Sequence, residues 1–148
     1  YQLQQKMYGV FQHTERRNPY ILLHGLDDTF NTPVSRHTEN RVKDFADFTN
    51  LEVLIESEIS GLCLIQDIKR RHLHMFNHLE YDSDTLHNEY IRDLSTGQDV
   101  DIPLNYYPDN DPNKDPINSW RGNGHLLFSN WVNFLYQTTP FLLEDIGK

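Results

Sequence analysis

"LEVLIESE", Leu51 to Glu58, alternates Leu, Val and Ile with acidic residues at a period of two, and "GLCLIQDIKRRHLHMFNH", Gly61 to His78, follows almost at once. Successive side chains of an extended chain point to opposite faces, so the first stretch predicts a strand with one apolar face. The second predicts a hairpin of two half-buried strands closing near Asp67 to Arg70, where charges interrupt the apolar run. Upstream, "KMYGVFQHT" (Lys6 to Thr14) alternates in the same way, and "ERRNPY" after it reads as a loop holding Pro19. "PYILLHGLDDTFNTPVSRHTE" mixes Gly, Asp, Asn and Pro among apolar residues and is expected to be mostly irregular rim structure. Three or four strands are thus crowded into the first half.

Helices come second. Asp82 and Ser83 are cap candidates, Leu86, Tyr90, Ile91 and Leu94 recur on one helical face, and Gly97 stands where a left-handed stop is expected. "GHLLFSNWVNFLYQTTPF" places Leu127, Trp131, Phe134 and Leu135 on one face of a second helix that must end before Pro140. The turn-rich stretch between them, from Thr96 to Trp120, is expected to run over the surface. Its "NYYPD" tyrosines serve either a homodimer contact or the core and rim. Parallel α/β layers interleave strands and helices, whereas here strands precede helices. That order suits the later half of a larger α/β domain, as does a start at Tyr1 that enters an apolar segment without a methionine.

With 148 residues, one domain is the expectation. Thirteen basic against twenty-two acidic residues give a charge of −9, and no basic cluster exceeds "KRR" at Lys69 to Arg71, which argues against a nucleic-acid surface. Apolar runs are far too short for a membrane helix, and Cys63 stands alone, so a soluble cytoplasmic protein without disulfides is expected.

Chemistry centres on "NHLE". On an extended segment residues i and i+2 project to one side, and a bend after the strand would bring the Glu80 carboxylate to the far nitrogen of His78. A carboxylate there fixes the tautomer and stabilises the imidazolium, as a thiol or hydroxyl relay requires. The bland alternative is two polar residues where a strand turns into a loop. His72, His74 and His78 have one-face spacing for a metal, but alternating surface histidines are the better reading. "DNDPNKD" fails as a calcium loop because Pro112, Lys114 and Trp120 occupy positions that need other residues. Cys63, inside "GLCLI", reads as a buried structural thiol. Arg92 on the first helix and the donors of "SRHTE" (Ser35 to Glu39) suit an amino-acid carboxylate, or simply solvent and a capped loop.

Taken together, "KMYGVFQH", "VSRHTENR", "ESEISGLCLI", "NHLEYDSDTLHNEYIRDL", "NYYPDNDP" and "NSWRGNGHLLFSNWVNFLYQTTP" resemble, in order and spacing, the homoserine O-acyltransferases of methionine biosynthesis, both succinyl- and acetyl-transferring. The resemblance implies an α/β fold of the class I glutamine-amidotransferase-like, flavodoxin-like three-layer type. Residues 1–148 would be the C-terminal part of its single catalytic domain. It implies that a cysteine upstream of Tyr1 takes the acyl group from acetyl-CoA or succinyl-CoA as a thioester and passes it to the L-homoserine hydroxyl. His78 would be the base, Glu80 its orienting acid, and Arg92, Lys6 and Ser35 substrate-binding residues. No metal and no resident cofactor are implied.

The family more often has Gly-His-Pro-Glu where this chain has Asn77 and Leu79 around the pair, and a histidine where it has Val34. These departures are expected to touch the acceptor pocket, which leaves L-serine as an alternative acceptor. A non-catalytic amino-acid-binding module and an amidotransferase-type hydrolase are the rivals from other classes.

Overall fold

The computed structural model describes residues 1–16 and 20–147, so Pro19 of the expected loop lies outside the described residues. Five strands, β1 (Gln2–Glu15), β2 (Thr29–Thr38), β3 (Leu51–Ser57), β4 (Gly61–Asp67) and β5 (His72–Met75), form one sheet in the order β2-β1-β3-β4-β5. All four pairings are antiparallel. Two helices follow, α1 (Thr85–Ser95) and α2 (Arg121–Thr138), giving a mixed α/β architecture with its strands first.

The β4–β5 hairpin closes where expected. Asp67 accepts hydrogen bonds from the Arg70 backbone N–H and guanidinium, both at 2.9 Å, and Arg71 takes a left-handed φ of 57° to finish the turn. β4 is more buried than a half-buried strand, because both sheet faces are covered. Leu64 and Cys63 join the main core with Leu86, Trp120 and Leu127, while Leu62 and Ile65 face a smaller cluster with Val53 under Val42 and Phe45. The strict alternation expected of β3 also breaks, since Val53, Leu54 and Ile55 are all buried and the β3–β4 register shifts on either side of Ile55. A bulge of this kind turns an extra side chain inward.

β2 is the largest departure from the sequence reading. "TFNTPVSRHT" pairs with β1 residue for residue from Met7↔Arg36 to Thr14↔Thr29 instead of forming irregular rim. Pro33 is compatible because β2 is the sheet edge, where a missing N–H costs no ladder bond on the open side.

α1 ends at Gly97, φ 75°, as the sequence implies, but its buried face is Leu86, Tyr90 and Asp93, and Ile91 and Leu94 stay exposed. The helix is turned toward β1, where Lys6 receives Asp93. α2 buries Gly124 and Leu127, with Asn130 donating to the carbonyls of Leu22 and His24. The excursion between the helices does not merely cross the surface. Leu104 bridges Gly9 in parallel, with Val10 N–H donating to Leu104 O at 2.8 Å and Leu104 N–H to Tyr8 O at 3.0 Å. Tyr106 and Tyr107 are buried in the core, their hydroxyls bonded to α1 and the segment before it, so they offer no surface for a dimer contact. Gly9 is required by its φ of 143° and because a Cβ there would lie 2.3 Å from Leu104 O.

Candidate active site

The stretch from Asn77 to Asp84 links β5 to α1 and is held from several sides. His78 N–H donates to Pro33 O on β2 at 2.9 Å, and the Trp120 indole donates to Tyr81 O at 2.8 Å. α2 approaches so closely that a Cβ on Gly124 would stand 2.7 Å from Leu79 O, the peptide unit between His78 and Glu80. A short polar stretch is thereby held from two elements, β2 on one side and α2 with its N-cap Trp120 on the other.

In this setting His78 Nδ1 and Glu80 Oε1 are 2.8 Å apart. Burial raises the Glu80 pKa, but the hydrogen bond and charge of His78 together with a backbone N–H hydrogen bond outweigh it and hold the carboxyl below its ordinary value. A carboxylate only accepts, so Nδ1 carries the proton and Nε2 of the neutral ring keeps its lone pair. Nε2 makes no hydrogen bond to a described residue. That is the arrangement of an oriented general base. His78 and Glu80 also bound an apolar cavity of about 420 Å³ walled by Leu73, Met75, Phe128 and Trp131.

Lys6, Ser35 and Arg92, far apart in sequence, line one cavity of about 360 Å³ with Tyr81, Glu89 and Asp93. Register explains the meeting: β1 and β2 pair Met7 with Arg36, which brings Lys6 and Ser35 to one end of the sheet beneath α1. Lys6 Nζ lies 3.0 Å from Asp93 and 3.6 Å from Glu89, while Arg92 bonds Asp93 at 2.8 Å and remains largely exposed. Burial works against the Asp93 charge, yet hydrogen bonds from Arg92 and Lys6 hold its pKa below the ordinary value, and Asp93 in turn raises that of Arg92. Glu89 accepts from Ser35 at 2.5 Å and from Tyr81 at 2.7 Å.

Glu89 and Tyr81 were not among the candidates read from the sequence. Glu89 precedes Arg92 and Asp93 by three and four residues, a spacing that puts all three on neighbouring helix positions and was the available signal. Nothing local announces that Tyr81 reaches Glu89 across the mouth of the cavity.

The three departures from the family pattern do not line the cavity of Lys6, Ser35 and Arg92. Val34 and Leu79 are buried apolar residues, and buried Asn77 donates to His13 Nε2 at 2.7 Å. His13 Nδ1 in turn donates to Phe11 O at 2.9 Å, and burial lowers its pKa to about 4. Cys63 is fully buried, and burial pushes its thiol up to about 12, so it is no nucleophile. His72 and His74 stand exposed on β5, edge to face. No described helix is long and apolar enough to cross a membrane.

Comparison with known proteins bears on the family and the fold. The homoserine O-acetyltransferase of Rhizobium leguminosarum bv. trifolii is 48% identical over 99% of this chain and 48% of its own length. That of Hyphomonas neptunium is 47% identical over the whole chain and 48% of its own. The chain therefore spans about half the length of the curated relatives it matches. Among solved structures, the crystal structure of SMU.1228c superposes with a TM-score of 0.55 at 13% identity, covering 89% of this chain and 53% of that one. It bears on the fold alone, and the mixed α/β architecture is consistent with the glutamine-amidotransferase-like type. The profile of the homoserine O-succinyltransferase family matches residues 1–141. On that match and those identities, the chain belongs to the homoserine O-succinyltransferase family.

Proposed function

We propose that this chain is the C-terminal part of a single-domain homoserine O-acyltransferase. It moves an acetyl group from acetyl-CoA to the hydroxyl of L-homoserine through a cysteine thioester, as a step toward methionine. The observation that carries the reading is the juxtaposition of the His78–Glu80 pair with a cavity of both charges, joined through Tyr81.

An α-amino acid presents a carboxylate and an ammonium at fixed separation. Arg92 offers a planar, exposed guanidinium to the first, and Glu89, oriented by Ser35 and Tyr81, offers an acceptor to the second. Lys6 and Arg92 together balance Glu89 and Asp93, keeping the pocket near neutral so that a zwitterion is matched. The nucleophilic cysteine belongs to polypeptide outside this chain. Its thiolate attacks the acyl-CoA carbonyl, and CoA leaves as the thiol with the proton that His78 took from the cysteine. His78 then accepts the homoserine hydroxyl proton as that oxygen attacks the thioester, and the cysteine departs. Glu80 stabilises the imidazolium in both halves. No metal takes part, and CoA is a substrate. Acetyl is preferred to succinyl on the names of the two relatives above, although the family profile carries the succinyl name. Homoserine is preferred to serine on the same names. A cytoplasmic setting suits a thiol-dependent step.

The test is acyl transfer by the complete enzyme with acetyl-CoA or succinyl-CoA and homoserine or serine, read as CoA thiol release and O-acyl product. His78→Ala is expected to lower turnover by about 1,000-fold or more, the scale of losing a relay member. Near-wild-type turnover would remove His78 from the mechanism.

A further inference from the structure

The acceptor cavity and the imidazole are two places in the fold, but one side chain touches both. The Tyr81 ring lies flat on His78, centroids 4.2 Å apart and planes at 15°. Its hydroxyl crosses to Glu89 Oε1 at 2.7 Å, and the other Glu89 oxygen is taken by Ser35. Its carbonyl is pinned by the Trp120 indole, so the backbone from which the ring springs is fixed as well.

The geometry assigns Tyr81 as a positioning residue of the transfer, resting on the acyltransferase reading above. Its ring face sets the plane of the His78 imidazole, and its hydroxyl ties that plane to the carboxylate that receives the acceptor's ammonium. Glu80 alone does not do this. One hydrogen bond at Nδ1 lets the ring rock about the Nδ1···Oε1 line, and rocking swings Nε2 away from the proton it must take. A flat aromatic contact removes that freedom, and offset or parallel contact between rings is itself favourable. Burial raises the Tyr81 pKa well above the ordinary phenol value, as does its bond to Glu89, so the phenol stays a donor throughout.

Ring and hydroxyl therefore separate in the two half-reactions. Acylation, read as the first burst of CoA release without acceptor, needs the ring face only. Transfer to homoserine needs ring and hydroxyl.

Two variants of the complete enzyme test this. Tyr81→Phe keeps the stack and loses the bond to Glu89, so its acylation burst is expected within about twofold of wild type. Its kcat/KM for homoserine falls by about 10-fold, the scale of losing one hydrogen bond to a charged group. Tyr81→Leu loses the stack, and its burst is expected to slow by about 100-fold, the cost of misplacing a reacting group by ~1 Å. A Leu variant whose burst matches wild type overturns the ring's role. A Phe variant that slows both half-reactions equally overturns the division between them, as does one that slows neither. Should the Leu variant fail to fold, Tyr81→Met takes its place under the same expectation and the same refutation, while the Phe variant by itself decides the part of the hydroxyl. Absence of transfer by the wild-type enzyme to any hydroxy amino acid overturns the acyltransferase reading itself, and the assignment of Tyr81 with it.

Discussion

Gly124→Ala should separate activity from stability. The alanine Cβ would stand 2.7 Å from Leu79 O, 0.7 Å inside the 3.4 Å at which ordinary contact begins, and the obstacle is backbone. Since α2 is anchored by buried Trp120 and Leu127, the segment that gives way is the peptide unit joining His78 to Glu80. Overpacking of this kind costs about 1–3 kcal/mol. Replacing a helical glycine by alanine returns about 1 kcal/mol. The net loss of stability is therefore small, about 0–2 kcal/mol by these two figures. Activity should suffer far more, because a shift approaching ~1 Å in a catalytic pair costs up to about 100-fold in rate.

The control is Gly122→Ala on the same helix, where nothing lies within 4 Å of the added carbon. It should gain up to about 1 kcal/mol and keep its turnover. The assay is kcat for acyl transfer beside thermal unfolding, for both variants in the complete enzyme. Full turnover in Gly124→Ala with unfolding unchanged would refute the reasoning, because it would mean that the helix does not bear on the loop.

Two further outcomes are expected. Arg92→Ala should raise the KM for homoserine by about 10- to 100-fold, the value of hydrogen bonds between ions, with kcat within a few-fold, and an unchanged KM in steady-state kinetics takes Arg92 out of the pocket. His13, fully buried, has its pKa lowered from 6.5 to about 4 by desolvation, so below pH 6.5 the unfolded chain binds a proton that the folded one refuses. Its penalty is absent above pH 6.5 and grows as pH falls to about 4, reaching about 3 kcal/mol. Melting of His13→Gln against wild type across that window should show the difference narrowing in the mutant's favour, and parallel curves would rule the histidine out.

The contact between His78 and Glu80 and parts of the fold were legible because their signals are local. His78 and Glu80 sit two apart, Asp67 to Arg70 carries its own turn, and Gly97 its own stop. β2 was not legible, since Pro33 and its polar neighbours resemble a loop until a partner strand supplies hydrogen bonds, and that partner is known only from the fold. Period alone placed Ile91 and Leu94 on the buried face of α1. The helix instead presents Asp93 inward, because Lys6, more than eighty residues away in the chain, neutralises it. Tyr106 and Tyr107 were ambiguous for the same reason: burial depends on hydroxyl partners that composition does not reveal. The family motifs singled out Lys6, Ser35 and Arg92, and only the fold could show that they share walls with Glu89 and Tyr81.

The junction of Gly9 with Leu104 is made of peptide groups alone, while the leucine side chain is 56% exposed to water. Mutational tolerance across it must therefore be lopsided. Position 104 can drift among most residues without loosening the mooring, whereas position 9 admits one residue, and a saturation scan would find a permissive column facing an almost empty one. The segment that carries Tyr106 and Tyr107 into the interior is thus anchored by a contact whose outer half leaves scarcely any mark in the amino-acid sequence.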